Sequence, residues 1–407
     1  MAVRATKRGA DRTPLDTSAD VVICGASFAG LAAARELRGS GADVLVVDRY
    51  EIGERQTSAC AIPTGWLDAL DLRDSLRQNF DELVLHRRLG GRRRPSSHRW
   101  RLSWDFATFD YRTLCELLAA QGDFRFETAM VQGIERGEVH AVETDRGTLR
   151  APVVIDALGW RRVLSEQPLA IQPPDAYLSR GLEVHPAGRS PDLEIWLDPR
   201  YVTPGYGWSF PAGDEVRVGV GSFDPRLPVK GPTVQLADDV GIPLDGYQGN
   251  WIPHRLGRAV GEGVFFAGDS AGHCFPATAE GIRPALYFGL AAGREARAVY
   301  EGRSTRDEAL ARYETFHESH RRVYEGLYYV QRAIGRLNET FAMDVALAAI
   351  GRRRVTDYCF GEYWNVAAPD FARAEPTSTS PPSRSARPRP APPEVASARP
   401  TAPASPV

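Results

Sequence analysis

Residues 21–48, VVICGASFAGLAAARELRGSGADVLVVD, constrain the fold more than any other stretch. An apolar run (Val21 to Cys24) leads into a glycine turn, a helical segment, a second apolar run (Val44 to Val47) and a carboxylate, Asp48. The order predicts strand, tight turn, helix, strand. Each part serves dinucleotide binding. Gly25 lets the chain turn sharply out of the strand, Ser27 is small enough for the backbone to approach a pyrophosphate, and Gly30 lets the helix lie close on the strand. The helix N-terminus offers N–H groups and the positive end of a dipole to phosphates. Asp48 follows the turn by about twenty residues, where an acid accepts hydrogen bonds from ribose hydroxyls. Arg49, beside it, is counted with it among the expected cofactor-binding residues. Serine replaces the middle glycine of the usual G-x-G-x-x-G, so the reading rests on the strand–turn–helix–strand–acid context.

A second signal lies far along the chain. Val264-Phe265-Phe266-Ala267-Gly268-Asp269 reads as a buried strand ending in a carboxylate, followed by a loop to Gly281-Ile282 at the head of a helix. Asp269 is placed to bond ribityl or ribose hydroxyls. The small residues near Gly281 and Ile282 let backbone N–H groups stabilise negative charge on a ligand edge. Because a reduced flavin is anionic at its pyrimidine edge, the two signals together favour FAD over NAD.

Of the 407 residues, 43% are hydrophobic and 25% charged, as in an ordinary globular protein, and the net charge of −2 gives no argument for a nucleic-acid partner. Five cysteines without a CxxC pair, together with a polar N-terminus, lead to the expectation of a reduced, cytoplasmic protein. No apolar stretch reaches the roughly 18 residues of a membrane span, which leaves peripheral membrane contact open. No metal spacing is present. His254 and His273, the histidines nearest the motifs, are expected in surface or loop roles. The only lysines are Lys7 and Lys230, which disfavours mechanisms that need a lysine. The absence of a nucleophile elbow disfavours hydrolysis.

Along the chain, residues 1–19 read as a disordered leader. Segments 20–80, 107–165 and 258–303 read as the FAD-binding domain, and 81–106 and 166–257 as an inserted substrate-facing antiparallel sheet. A helical region is expected over 304–373. A proline-rich tail follows over 374–407, with ten prolines in the last 32 residues. A helix is expected from Thr64 to Leu76, and strands over 83–89 and 99–106. Arg92-Arg93-Arg94 reads as a solvated hairpin tip. The fold class is therefore α/β: a Rossmann-like FAD domain, an inserted antiparallel sheet and a helical C-terminal region.

With these motifs the chain resembles FAD-dependent oxidoreductases of the aromatic-hydroxylase fold, and within them the geranylgeranyl reductase family. Val154-Ile155-Asp156-Ala157-Leu158-Gly159 is similar to that group's D-A-x-G motif. The most specific match is Tyr206-Gly207-Trp208-Ser209-Phe210-Pro211, followed by Gly219-Val220-Gly221, which is similar to the family's Y-x-W-x-F-P and G-x-G at this spacing. The resemblance implies that Arg112 contacts the cofactor and that Val131 lies at the adenine. It implies that Cys60 lies near the flavin ring, and that the Tyr206 strand lines a cavity over the flavin. Strand alternation points Tyr206, Trp208 and Phe210 to one face, and aromatic walls suit an apolar ligand. The sequence departs from the family at Ala279, where glycine is frequent, and at Leu158.

The expected activity is reduction of a carbon–carbon double bond in a hydrophobic, isoprenoid-like substrate by hydride from reduced flavin. Cys60, Tyr206 or water would supply the proton, with Trp208 completing the site. The electron donor, NAD(P)H or another, would bind transiently, because the chain has no second glycine fingerprint. A flavin monooxygenase of the same fold is the alternative.

Overall fold

The structure, a computed structural model, describes residues 13–88, 96–166, 176–338 and 340–374. The Arg92–Arg94 run, the first twelve residues of the expected leader and the tail from residue 375 lie outside them.

In chain order, the N-terminal half contains β1 (Thr17–Ser18), β2 (Val21–Cys24), α1 (Phe28–Glu36), β3 (Val44–Asp48), β4 (Ala61–Pro63) and α2 (Thr64–Ala69). It continues with β5 (Leu76–Arg87), β6 (Ser96–Phe109), α3 (Tyr111–Ala120), β7 (Arg125–Thr128), β8 (Val131–Glu135), β9 (His140–Thr144), β10 (Gly147–Ala151) and β11 (Val153–Asp156). Then come β12 (Leu178–Val184), β13 (Leu193–Leu197), β14 (Gly205–Ala212), β15 (Glu215–Ser222), α4 (Lys230–Asp239), β16 (Gln248–Pro253), β17 (Val260–Gly261) and β18 (Val264–Phe266). The chain closes with α5 (Ile282–Tyr300), α6 (Arg306–Glu318), α7 (Arg321–Leu337), α8 (Phe341–Ile350), α9 (Arg353–Asn365) and α10 (Asp370–Arg373).

A six-stranded sheet in the order β17-β18-β11-β2-β3-β7 carries the nucleotide-binding unit. β18, β11, β2, β3 and β7 run parallel, with Val21 opposite Val44 and Val153 opposite Val21. Alternation explains its two apolar faces. Val21, Ile23, Val44 and Val46 pack with α1, α3 and α5. Val22, Cys24, Leu45 and Val47 pack against the four-stranded sheet β1-β10-β9-β8 through Val142 and Leu149. A third, eight-stranded sheet runs β16-β12-β15-β14-β13-β5-β6-β4. α4 covers its outer face through Leu236, while Met343 and Leu347 of α8 meet Leu85 and Leu197.

Four expectations need correction. The segment expected as leader is structured from residue 13: Leu15 is buried, its N–H bonds Arg146 O at 2.7 Å, and β1 adds in parallel to β10. The helix expected over Thr64–Leu76 stops at Ala69. Asp71 adopts a left-handed φ of 52°, and Leu72 N–H returns to Leu67 O at 2.7 Å, a Schellman-type end. β5 and β6 are longer than the strands expected there, and β4 joins β6, so the substrate-facing sheet takes in residues assigned to the FAD domain. β8, α4 and β16 were not anticipated.

α1 and α5 pack backbone to backbone. A Cβ on Gly289 would fall 2.4 Å from Ala29 O, and one on Gly293 2.4 Å from Ala33 O. We therefore expect Gly289→Val to cost about 1–3 kcal/mol through overpacking. Gly326→Ala on α7, where nothing lies within 4 Å of the added carbon, should instead stabilise by about 0.5–1 kcal/mol. Thermal unfolding of the two variants checks both signs.

Candidate functional site

The turn after β2 is built around contacts only glycine tolerates. Gly25 has φ 111°, and a Cβ there would sit 2.3 Å from Ala157 O; a Cβ on Gly30 would sit 1.8 Å from Gly25 O. The tight turn brings Ala26 to Ala29, the N-terminal end of α1, onto the wall of a cavity of about 590 Å³. Ser27 is the N-cap residue in extended conformation; its Oγ lies 3.2 Å from Tyr111 Oη.

At one end of the cavity, Asp48 accepts from the N–H groups of Ala26 (2.8 Å) and Tyr50 (3.0 Å). Burial raises the pKa of its carboxyl group, and these bonds and Arg49 partly offset the rise. Arg49, over the Tyr50 ring at 4.8 Å, also lines this end, with Met130 and Val131. Asp269, Gly281 and Ile282 line the same cavity. Gly281 is the N-cap position of the 19-residue α5, so a second helix N-terminus faces the same space. Asp269 is buried, and desolvation alone pushes its pKa up to about 6. Beyond these groups the cavity opens along the eight-stranded sheet, walled by Tyr206, Trp208, Phe210, Leu102, Trp104 and Phe106. Cys60 also lines the cavity, buried, with a left-handed φ of 52°. Its thiol donates to Ser58 O at 3.2 Å, and burial pushes its pKa well up.

Twelve of the thirteen residues singled out from the sequence thus line this cavity or shape its turn. Arg112 does not line it. Its half-exposed side chain sits 3.9 Å from Glu116 and borders a separate space with Gly53 and Gln56. The Gly53 turn packs closely on this helix head, where a Cβ would be 2.9 Å from Arg112 Cα, and it is Tyr111 that lines the large cavity.

The two halves of the aromatic motif are cross-strand partners. Tyr206 pairs with Gly221 and Trp208 with Gly219. A Cβ on Gly219 would lie 2.4 Å from the Trp208 ring, so the glycines leave room for the aromatics.

Other participants were missed. Phe360 and Tyr363 of α9 complete the cavity wall. Glu280 bonds Tyr363 Oη and Arg283, and buried Arg283 donates to Val366 O at 2.7 Å. Glu183 on β12 also lines the cavity; its place two residues from His185 in a strand was the available signal. His254 and His273 are buried rather than at the surface. His273 stacks on Phe288 at 3.7 Å, its Nδ1 accepts Gly268 N–H, and its Nε2 bonds His317 Nδ1 at 3.0 Å. Desolvation, the largest cause, lowers the pKa values of both His254 and His273. Among the described residues no helix is long and apolar enough to cross a membrane.

Residues 20–94 match the family model for an FAD binding domain. Over 340 residues the chain is 25% identical to digeranylgeranylglycerophospholipid reductase 3 of Methanosphaera stadtmanae, covering 74% of this chain and 83% of that one. It is 27% identical over 334 residues to digeranylgeranylglycerophospholipid reductase 1 of Methanopyrus kandleri, covering 72% and 84%. A geranylgeranyl bacteriochlorophyll reductase-like protein of Thermoplasma acidophilum shares the fold, with TM-score 0.74 at 16% identity over 88% of this chain and 98% of that one. The fold and the dinucleotide turn define an FAD-dependent oxidoreductase. Within that class the chain is similar to the digeranylgeranylglycerophospholipid reductases over most of its length.

FAD fits the residues present. The Gly25–Gly30 turn brings Ala26 to Ala29 and the N-terminal end of α1 onto the cavity wall, and Asp269 is a buried carboxylate for which desolvation is the sole perturbing influence, suited to a hydroxyl donor. In the FAD-free protein the Asp269 pKa rises on folding from its ordinary 3.8 to about 6. The buried charge therefore destabilises the fold above pH 6, and the cost fades as pH falls from 6 toward 4. We expect Asp269→Asn to stabilise the FAD-free protein at pH 7.5 by on the order of 2–3 kcal/mol, with the gain vanishing near pH 4. Denaturant unfolding across that range checks the sign.

Proposed function

We propose that the chain saturates a carbon–carbon double bond in an isoprenoid-like substrate, with reduced FAD as the hydride source. The observation that carries this reading is the continuity of the cavity, from the Gly25 turn and Asp269 to the compartment walled by Tyr206, Trp208 and Phe210. The names of the curated relatives, reductases of isoprenoid-chain lipids, support the same substrate class.

In this reading the N–H groups at the start of α1 hold the pyrophosphate, and Asp48, Arg49 and Val131 hold the adenosine end. Asp269 accepts from the ribityl chain. The α5 N-terminus at Gly281 and Ile282 stabilises negative charge on the flavin ring. Bound flavin supplies a two-electron hydride to one alkene carbon. Trp208 and Tyr206 hold the chain flat across the sheet; Tyr206 is itself fixed by donating to Thr278 O at 2.5 Å. Cys60 narrows the passage between cofactor and substrate. The apolar walls exclude water from the reacting carbons. The electron donor, NAD(P)H or a protein, binds transiently.

The test is anaerobic. Purified protein should be yellow, and flavin reduced by NADPH, NADH or dithionite should be reoxidised by geranylgeraniol with formation of a saturated product. Protein that cannot be reconstituted with FAD, or donor-dependent oxygen uptake yielding a hydroxylated product, would overturn the reading. A further expectation concerns pH. Hydroxyl donors favour the carboxylate form of Asp269, so FAD affinity should weaken as pH falls below about 6. Asp269→Asn should weaken binding at pH 7.5 and flatten that dependence in a flavin-fluorescence titration.

A further inference from the structure

Glu183 and His185 lie two residues apart along β12 and its continuation, so the alternation of an extended chain places them on one side. Glu183 lines the substrate compartment, with its side chain only 4% exposed. Its carboxylate accepts from Trp208 Nε1 at 3.0 Å and is 2.8 Å from His185 Nε2. His185 Nδ1 lies 3.2 Å from Gln248 Nε2 and 3.6 Å from Glu215 Oε1. Glu215, 36% exposed, is paired with Arg217 at 2.7 Å, and Arg217 also donates to Ala59 O at 2.7 Å, next to Cys60. A line of ionisable groups thus runs from solvent at Glu215, through buried His185, to a carboxyl group on the cavity wall.

The arrangement is built into the sheet. Glu183, Gly219 and Trp208 form one cross-strand row. A Cβ on Gly219 would lie 2.7 Å from Glu183 Cβ as well as 2.4 Å from the Trp208 ring, so the same glycine admits both partners. Two other proton-bearing groups of the cavity wall are engaged elsewhere: Tyr206 donates to Thr278 O and Cys60 to Ser58 O.

We propose that Glu183 gives the proton that completes reduction of the double bond, and that His185 returns a proton to it from the Glu215 side. The proposal rests on the function proposed above. In the step, the alkene π pair and the incoming hydride together provide four electrons for two new C–H bonds. One bond takes its hydrogen from the hydride that reduced flavin supplies, leaving the flavin oxidised. The other takes the proton from the Glu183 O–H, which breaks and leaves a carboxylate. His185 then passes its Nε2 proton across the 2.8 Å contact while its Nδ1, which faces Gln248 and Glu215, takes one from the solvent side.

The experiment uses the FAD-loaded protein with flavin reduced stoichiometrically by dithionite under anaerobic conditions. Geranylgeraniol in detergent micelles is added, and flavin reoxidation is followed with product analysis. We expect wild type to reoxidise. Glu183→Gln should keep its flavin but reoxidise about 100-fold more slowly or worse, and Glu183→Asp should recover part of the rate. His185→Asn should remove an ionisation from the pH profile of the reoxidation rate, which a merely structural role would not move. A Glu183→Gln rate within threefold of wild type overturns the proposal. If that variant loses its flavin, the wild-type solvent isotope effect and the His185→Asn profile decide, and no isotope effect with an unchanged profile overturns it. A wild-type protein inert toward the alcohol overturns both this proposal and the reading it rests on, whereas an active wild type with an unaffected Glu183→Gln overturns this proposal alone.

Discussion

The close approach of α1 to its neighbours is the contact on which the rest depends. Gly30 admits the helix onto the carbonyl of Gly25, and Gly289 and Gly293 admit α5 onto the backbone of α1 at Ala29 and Ala33. Two helices that touch at backbone distance cannot slide independently, because a packed interior has no slack. A buried ion pair, Arg294 to Glu36 at 2.8 Å, fixes their register, and breaking one partner would strand the other charge. The N-termini of both helices therefore reach the same cavity at a set separation. A site for an anionic dinucleotide needs that fixed spacing, since its phosphates and its ring must each meet backbone donors at once.

The far half of the cavity uses the same device in a sheet. β14 and β15 place aromatic residues opposite glycines, Tyr206 over Gly221 and Trp208 over Gly219. Ordinary side chains at those glycines would fill the space with packing. Their absence lets large rings lie across the neighbouring strand and leaves a smooth apolar wall. On the outer face the same hairpin reverses the arrangement: Gly207 receives Leu236 of α4, where a Cβ would be 2.7 Å away. Glycine thus sets which face is filled and which stays open.

Much of this was legible because it is local. The β2–α1–β3 unit, the β18 strand with Asp269 and the aromatic hairpin each announce themselves within about thirty residues. Period-2 alternation correctly put Tyr206, Trp208 and Phe210 on one face of the cavity wall. What stayed hidden depends on contacts between distant segments. That Tyr111 rather than Arg112 faces the cavity depends on how the head of α3 sits on the rest of the fold, which the helix pattern does not show. The end of α2 turned on Asp71 adopting a left-handed conformation, for which aspartate is a weak signal compared with glycine. His273 does lie in a loop, but the flanking glycine and alanine hide its burial against Phe288, contributed by α5. Glu183 carried no signal beyond its spacing from His185; its importance comes from the Trp208 ring two strands away.

The loop between Cys274 and Gly281 shows why the C-terminal helices belong to the site. Ala277 and Ala279 hold φ values of 66° and 53°, a conformation that costs an alanine about 1–2 kcal/mol. Such a loop persists only if its surroundings over-determine it. The restraints come from far along the chain: Gln331 of α7 accepts Ala277 N–H at 2.9 Å, Tyr363 of α9 meets Thr278 Oγ1 at 2.9 Å, and Arg283 ties Glu280 to the end of α9. Tyr206, from the aromatic strand, bonds Thr278 from the other side. The loop therefore joins the wall of the apolar compartment to the N-terminus of α5. Any ligand that shifts Tyr206 or Tyr363 must act on Thr278 and Glu280, which sit within a few residues of Gly281. Filling of the apolar compartment and the charge environment at Gly281 and Ile282 are thus mechanically connected through one strained loop.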